Sequence, residues 1–426
     1  MTQVAEGHGA LVAGFEQFRA EPAFGPEWLR TARASAFARF LDQGFPTTRD
    51  EEWKFTNVAP IAQVEWRRAS TSRGGAVAPA AAGAIEVVIA NGRPDLSGCE
   101  GLPAGLSIRS LQAASAEQAL VSGPSLTADH PFVALNTAFF EDGLLIEVAP
   151  KAVIEPVIVL RFVTVAGAAP VMVSPRLRVI VGEQAQVSII ERYEGDGTGV
   201  TLTNAVSEFQ LEPAAVVDHV KVQQELPAAF HLASTFVHLE RSATFVSQAV
   251  TFGGRIARND ITATLAGEGA EATLNGLYVA DGDTLVDTHT CIDHATPHCP
   301  SHEVYKGILA GQARAVFNGK IIVRPDAQKT DAKQTNKALL LSDDATINTK
   351  PQLEIFADDV KCTHGAAIGQ LDADQMFYLR ARGIAEADAR NILIHAFASD
   401  VLNGVRHEAL RVELEAALVA KLHLPE

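Results

Sequence analysis

The sequence contains few of the residues that would indicate an oxidising environment or a nucleic-acid partner. Its 426 residues include four cysteines, none in a CxxC pair, so free thiols in a reducing compartment fit best. Acidic residues outnumber basic ones by 51 to 35, which gives a formal charge of −16. Because nucleic-acid binding needs a dense basic surface, we expect neither a nucleic acid nor an anionic membrane as a partner.

Long apolar runs and enzyme signatures are also missing. The N-terminal stretch "MTQVAEGHGALVAGFEQFRAEP" has no basic segment followed by an apolar one, and no run of about 18 apolar residues occurs elsewhere. We therefore expect a soluble, cytoplasmic protein. A GxSxG elbow, a GxxxxGK[ST] loop and a GxGxxG motif are absent, so the chain does not read as a hydrolase, nucleotidase or dehydrogenase. Any energy source would come from a partner.

The pattern of the chain changes twice. We predict an N-terminal helical region (1–70), a linker of small residues (71–84), a β core (85–369) and a C-terminal helical region (370–426). The core consists of short β-branched runs such as "IEVVIA", "VIVLRFVTV" and "AQVSIIERY", separated by turn residues at intervals of about 10 to 15. No helix of crossover length separates them, so a doubly wound or TIM fold is disfavoured. A β-solenoid is weakly favoured over a large sandwich.

The last predicted helix carries a leucine stripe. Leu410, Leu414, Leu418 and Leu422 recur every four residues, so one helical face is apolar. Packing within a small helical bundle is the simpler interpretation. Cover by a partner protein is the alternative.

Two groups of cysteine and histidine residues are candidate ligand sites. In "VKCTHG", Cys362 and His364 lie two positions apart in a β-like run, so both point to one face with Cα atoms roughly 7 Å apart. The segment "DTHTCIDHATPHCPSH" offers six further candidates, in an arrangement that matches neither CxxC pairs nor HExxH on a helix. These are His289, Cys291, His294, His298, Cys299 and His302.

Four stretches resemble a known family. They are "TTRDEEWKFTNVAPI" (47–61), "PFVALNTAFFEDGLLIEVAP" (131–150), the long block from "RAVFNGKIIV" to "VKCTHGA" (314–366) and "DQMFYLRARGI" (374–384). They resemble the SufB/SufD family of iron-sulfur cluster assembly proteins, in the pattern of its SufD branch. The likeness covers nearly the whole chain.

The resemblance implies a fold and a set of partners. The fold is a mainly β protein, with a right-handed parallel β-helix core flanked by N-terminal and C-terminal α-helical regions. The implied function is that of a non-catalytic scaffold, which pairs with SufB through the β-helix and with the ATPase SufC through the C-terminal helices. A cysteine desulfurase system would supply sulfur. A homodimer is possible when SufB is absent.

The resemblance also implies site residues. His364 would face a SufB cysteine and help to hold a transient iron-sulfur cluster at that interface, while this chain would bind no nucleotide. Cys362 is a weaker candidate ligand, because a free cysteine is often only a small core residue. The region of Leu410, Leu414 and Leu418 would contact SufC.

Two other functions stay open at this stage. One is a zinc-dependent hydrolase that uses the histidine- and cysteine-rich segment 289–302, which predicts stoichiometric zinc in the purified chain. The other is a carbohydrate-acting β-helix enzyme, which would be secreted and would expose paired carboxylates in a cleft. The missing motifs disfavour the first, and the lack of a leader-like segment disfavours the second.

Overall fold

A computed structural model describes residues 4–69, 83–114 and 130–422. Most of its helices lie near the two termini. The α-helices are α1 Val4–Arg19, α2 Glu27–Gln43, α3 Ala59–Ala62, α4 Pro131–Phe139, α5 Ala373–Ala381, α6 Glu386–Leu402 and α7 Glu408–Lys421. Single 3₁₀ turns span Pro22–Phe24, Glu51–Trp53 and Leu111–Ala113.

The strands run from Arg67 to Gly369. In chain order they are β1 Arg67–Arg68, β2 Ile85–Ala90, β3 Arg93–Asp95, β4 Leu106–Ser110, β5 Leu144–Val148, β6 Ile158–Ala166, β7 Val171–Val173, β8 Arg176–Val181, β9 Gln186–Gly197, β10 Thr201–Leu211, β11 Val216–Gln224, β12 Phe230–Leu239, β13 Thr244–Thr251, β14 Ile256–Leu265, β15 Glu271–Ala280, β16 Leu285–His294, β17 Pro300–Leu309, β18 Arg314–Val323, β19 Asp331–Leu340, β20 Thr346–Ile355 and β21 Lys361–Gly369.

Successive long strands alternate between two sheets. Sheet 1 has the order β20-β18-β16-β14-β12-β10-β8-β5-β4, with β7 and β1 beside it, and sheet 2 has the order β21-β19-β17-β15-β13-β11-β9-β6-β2-β3. Pairing within each sheet is parallel from β5 and β6 onward. Ile256 pairs with Leu285 and Leu285 pairs with Arg314, so one coil takes 285 − 256 = 29 residues there. The core is therefore a parallel β-solenoid, which confirms the predicted mainly β class.

Alternating burial explains why the coils stack. In β14, Ala257, Asn259, Ile261 and Ala263 point into the solenoid and are buried, while Arg258, Asp260 and Thr262 face outward. Parallel register places inward side chains above one another on successive coils, and most of the apolar ones pack together. The interior forms one continuous apolar cluster along the axis.

Helices cover the outer faces of both sheets. Aromatic residues of α1, α2 and α4 pack on outward apolar residues of sheet 1, among them Phe230 and Ile256. Helices α6 and α7 pack on outward residues of sheet 2, among them Val222 and Ile308. In the described parts of the chain, no helix is long and apolar enough to cross a bilayer.

Some elements differ from the sequence prediction. Helix α4 lies inside the range predicted as β core, and β1 lies inside the range predicted as helical. Strands β10, β17 and β19 were not among the predicted runs, because buried polar residues interrupt their apolar pattern. Most of the predicted linker (71–84) falls outside the described residues. The domain boundaries and the handedness of the solenoid stay predictions.

Candidate functional site

The last strand of the solenoid, β21, carries the two predicted ligand residues. It pairs in parallel only with β19, so that Cys362 lies beside Ala332 and His364 beside Gln334. Both neighbours point into the core and are buried, so Cys362 and His364 occupy inward-facing rows as well. Because no further coil follows, His364 is exposed although it lies on an inward row. Thr363 faces the opposite side.

Cys362 is more enclosed than His364. It packs against a small apolar cluster that includes Ile321, Val323 and Ala332. Burial, together with the nearby charge of Asp331, raises the pKa of the Cys362 thiol above its usual value. A metal ligand must be the thiolate, so this environment makes His364 the better ligand of the two.

Below His364 lie two polar residues that the sequence prediction missed. Gln334 and Glu303 occupy the same inward row on the two preceding coils and are almost fully buried. Gln334 Nε2 donates a hydrogen bond of 2.7 Å to Glu303 Oε2. Burial raises the pKa of Glu303 to about 7, although hydrogen bonds from Thr290 and Gln334 oppose the shift. Glu303 and Gln334 lie one coil apart in the sequence. This spacing identifies them as neighbours only when the pairing register of the strands is known.

The histidine- and cysteine-rich segment does not form a metal site. Strand alternation sends His294 into the core, where it bonds Ser301, and sends His289 and Cys291 to the outer face. His298 lies in a turn with φ of 60°, and Cys299 is buried with its Sγ near the Gly267 carbonyl oxygen. Within residues 4–69, 83–114 and 130–422, no three His, Cys, Asp or Glu side chains are arranged to hold a metal ion. The zinc-hydrolase alternative therefore has no site in the described structure.

In the part of the chain that the structure describes, His289 does not belong to a metal site but contacts two carboxylates of the protein. Its ring lies 3.0 Å from Asp287 Oδ1 and 3.1 Å from Glu52 Oε2, which links β16 to the 3₁₀ turn Glu51–Trp53. Burial disfavours the charged ring, yet the attraction of Asp287 outweighs it and raises the pKa of His289 to about 9. The imidazolium is therefore an ion-pair bridge between the N-terminal layer and sheet 1.

Cys291 lies near this bridge and is partly buried. Burial, with a contribution from Asp293, raises the pKa of the Cys291 thiol to about 11. Since the thiolate is the nucleophilic form, this environment disfavours a sulfur-carrying role for Cys291. All four cysteines are free thiols.

The leucine stripe faces the chain's own core. Leu410, Leu414 and Leu418 are 5%, 1% and 1% exposed and pack with residues of α6 and sheet 2. Their side chains dock α7 onto the solenoid, as the simpler interpretation of the stripe predicts, and contact of this region with SufC stays a prediction. The exposed apolar residues of the C-terminal region are others, chiefly Phe377 and Tyr378 on α5.

Comparison with known proteins identifies the class. Residues 162–397 match the family described as "SUF system FeS cluster assembly, SufBD core domain". The match covers more than half of the chain, from within β6 to within α6, and includes most of the β-solenoid. The chain belongs to the SufB/SufD family, which assigns it to iron-sulfur cluster assembly.

Individual relatives point to the SufD side of this family. A SufBD family protein of Synechocystis is 34% identical over 393 residues, which are 87% of this chain and 86% of the relative. The iron-sulfur cluster assembly protein SufD of Escherichia coli is 36% identical over 242 residues, 57% of each chain. The chloroplastic protein ABCI7 of Arabidopsis thaliana is 36% identical over 240 residues, 56% of this chain and 50% of the relative. The chain is similar to SufD.

Proposed function

We propose that the chain is a non-catalytic scaffold subunit that builds iron-sulfur clusters together with a SufB-type partner and a SufC-type ATPase. The observation that carries the proposal is the position of His364, exposed on an inward-facing row at the open end of the solenoid. A ligand at this place is free to meet groups from a second chain. Family membership supports the same assignment.

The ligand set favours a shared site. One imidazole and one half-buried thiol supply at most two of the four ligands that a tetrahedral iron centre needs. A partner would supply the rest, and the cluster is the cargo of the reaction. Ligands divided between two chains leave the cluster easy to release, as a scaffold requires.

The open end also suits a partner strand. Strands β20 and β21 are the last members of their sheets. Ile355, Phe356 and Ile368 lie there with 39%, 61% and 49% of their surface exposed. An unpaired strand edge beside exposed apolar side chains is a surface on which another chain adds a strand. We propose this end as the SufB-facing surface.

The ATPase would bind the outer side of the C-terminal helices. Phe377 and Tyr378 on α5 are 74% and 56% exposed, and Val412 on α7 is 57% exposed. Aromatic residues of this kind are frequent at the centres of protein interfaces. The buried leucines of α7 would contribute indirectly, by holding the helices in place.

The proposal is tested by replacing His364 with Ala in the three-protein complex. We expect complex formation to persist and anaerobic cluster formation to fall at least about 10-fold, because the ligand is lost. Visible absorbance and cluster transfer to an acceptor apoprotein measure the effect. Thr363→Ala is the matched control, since its side chain faces the opposite side, and should behave as the native chain does. Cys362→Ala should have an intermediate effect.

Two results would contradict the proposal. One is a normal rate of cluster formation by His364→Ala in an intact complex. The other is equal impairment by Thr363→Ala, which would indicate a general disturbance of β21 rather than the loss of a ligand.

A further inference from the structure

The row of side chains beneath His364 is polar, as are some other inward-facing positions of the core, among them Glu191 and His219. Glu303 on β17, Gln334 on β19 and His364 on β21 are register neighbours on consecutive coils. Glu303 and Gln334 are 1% and 2% exposed. Adjacent strands lie about 4.8 Å apart, so Glu303 sits about 10 Å below His364, with Gln334 between them.

The Gln334 amide has one bonded end and one unbonded end. Its nitrogen donates to Glu303 Oε2 at 2.7 Å. Its oxygen, Oε1, is buried and has no hydrogen-bond partner among the described residues. An unpaired buried carbonyl costs about 1 to 3 kcal/mol, so a structure keeps one only where a partner becomes available.

The orientation of this amide is restricted by its surroundings. Gly319 faces it from β18, and a Cβ at that position would lie only 2.2 Å from Gln334 Nε2. An ionised carboxylate at Glu303 accepts hydrogen bonds and donates none, so it holds the amide nitrogen on its own side. Since the oxygen and nitrogen of an amide diverge, this bond leaves Oε1 on the side of the amide away from Glu303.

We propose that Gln334 and Glu303 are positioning residues for His364, in which Gln334 Oε1 accepts a hydrogen bond from the inward ring N–H of His364. This inference rests on the proposed role of His364 as a cluster ligand. A neutral imidazole carries a hydrogen on one ring nitrogen and leaves the other nitrogen free. A fixed hydrogen-bond acceptor determines which nitrogen carries the hydrogen. The inward N–H leaves the outward nitrogen free to bind iron from the partner's side.

The test is the tautomer of His364 in the isolated full-length chain. ¹⁵N-labelled histidine would be observed by NMR at about pH 8, where a free imidazole is neutral. The His364 signal is identified by its loss in His364→Ala. We expect one tautomer in excess of the proportion shown by free histidine. Gln334→Leu should return the proportion to that of free histidine, because the acceptor is removed.

Glu303→Gln tests the role of Glu303, which orients the Gln334 amide, separately from the role of Gln334 as hydrogen-bond acceptor. Two facing amides pair in either direction, so Gln334 loses its fixed orientation and the His364 signal should become a mixture. Glu354→Gln is the matched control, because Glu354 lies on the outer face of β20 and pairs with Lys320. It should leave the tautomer unchanged. Gln334→Met serves as a second variant if Gln334→Leu does not fold.

Cluster formation provides an independent readout. Gln334→Leu and Glu303→Gln should each lower the rate about 10-fold in an intact complex, as removal of an outer-shell partner commonly does. An unchanged tautomer in both variants overturns the positioning role, whatever His364→Ala does. A tautomer shift together with normal cluster formation by His364→Ala keeps the Gln334 contact and overturns the proposed function instead.

Discussion

The two ends of the solenoid differ in what covers the last coil. At the N-terminal end the chain turns back on itself, with β3 antiparallel to β2 and β4 antiparallel to β5. Leu29 of α2 packs there with Leu111 and Leu145, all three buried. At the C-terminal end, by contrast, nearly every residue of β21 is exposed. Solenoids need a cap at each end, and within residues 4–69, 83–114 and 130–422 the N-terminal end alone is capped.

The largest effect is expected where the N-terminal layer is anchored to sheet 1. Arg258 is buried between Asp260 and Asp287, with pair distances of 2.8 and 2.7 Å, and its guanidinium lies over the Trp53 ring. Arg258→Met removes the cation that Asp260 and Asp287 share, and leaves Asp287 with the His289 ring as its ion-pair partner. We expect the free energy of unfolding to fall by about 3 to 5 kcal/mol in a urea titration.

The control for that experiment is an exposed ion pair. Arg324, which directly follows β18 and is half-exposed, pairs with Asp293 at 2.9 Å. Arg324→Met should lower the free energy of unfolding by less than about 1 kcal/mol. Similar losses in the two variants would mean that the N-terminal layer is not anchored by the buried pair.

A smaller effect is expected at the leucine stripe. Leu414 is 1% exposed in the cluster between α7 and sheet 2, so Leu414→Ala should cost about 2 to 4 kcal/mol of unfolding free energy. Val412→Ala on the exposed face of the same helix should change stability by at most about 0.5 kcal/mol. Thermal unfolding of the isolated chain measures both. Unchanged stability in Leu414→Ala would return the stripe to the role of a partner surface.

The sequence predicted elements whose signals are local. The predicted C-terminal helical region contains α6, and its first helix, α5, is capped by Asp372, which accepts from the Asp374 and Gln375 backbone N–H groups. The same-face relation of Cys362 and His364 follows from the two-residue period of a strand. These features needed no knowledge of the register.

The missing parts depend on contacts between distant residues. Glu303 and Gln334 are 334 − 303 = 31 residues apart, and only the pairing of β17 with β19 brings them together. The sequence could not show what packs against the leucine stripe, because an apolar helical face has the same pattern whether it packs on a sheet or on a partner protein. Strand β10 was missed since Asn204 and Glu208 are polar yet buried. Asn204 donates to the Phe132 carbonyl oxygen of α4, and Glu208 pairs with Arg176 of β8.

The next effect is the pH dependence of stability caused by Glu303, which is buried near the open end of the solenoid. Burial raises the pKa of Glu303 from 4.5 to about 7, so the folded chain keeps a proton that the unfolded chain loses between these values. Stability should therefore be full below about pH 4.5 and fall as pH rises to about 7. The difference is at most about 3 kcal/mol, from roughly 2.5 pKa units at 1.36 kcal/mol each.

Glu303→Gln should remove this dependence. The variant has no proton to lose, so at about pH 8 it should be more stable than the native chain by about 1 to 3 kcal/mol, and near pH 4 about equally stable. Urea titrations at several pH values measure the difference, with Glu354→Gln as the exposed control. A parallel pH dependence in the native chain and Glu303→Gln would assign the slope to other groups.

The smallest effect on stability is expected at the open end itself. This prediction tests most directly how the two ends of the solenoid differ. Ile368 lies on the same inward face of β21 as His364 and beside the buried Ala338, yet 49% of its surface is exposed. Ile368→Lys should change the free energy of unfolding of the isolated chain by at most about 0.5 kcal/mol, because this side chain is only half covered. Binding of a SufB-type partner should weaken at least about 10-fold, since a charge would enter the interface.

Val153 provides the matched control near the closed end. It is 58% exposed in the segment between β5 and β6, so Val153→Lys introduces the same charge at a site of similar exposure. Neither stability nor partner binding should change, as measured by urea titration and by co-purification. A loss of stability above about 1 kcal/mol in Ile368→Lys would show that the chain already covers this end. We expect the partner at β21 because an inward-facing row that ends in solvent can be continued by a second chain. Equal partner binding by the two variants would place the docking surface away from β21.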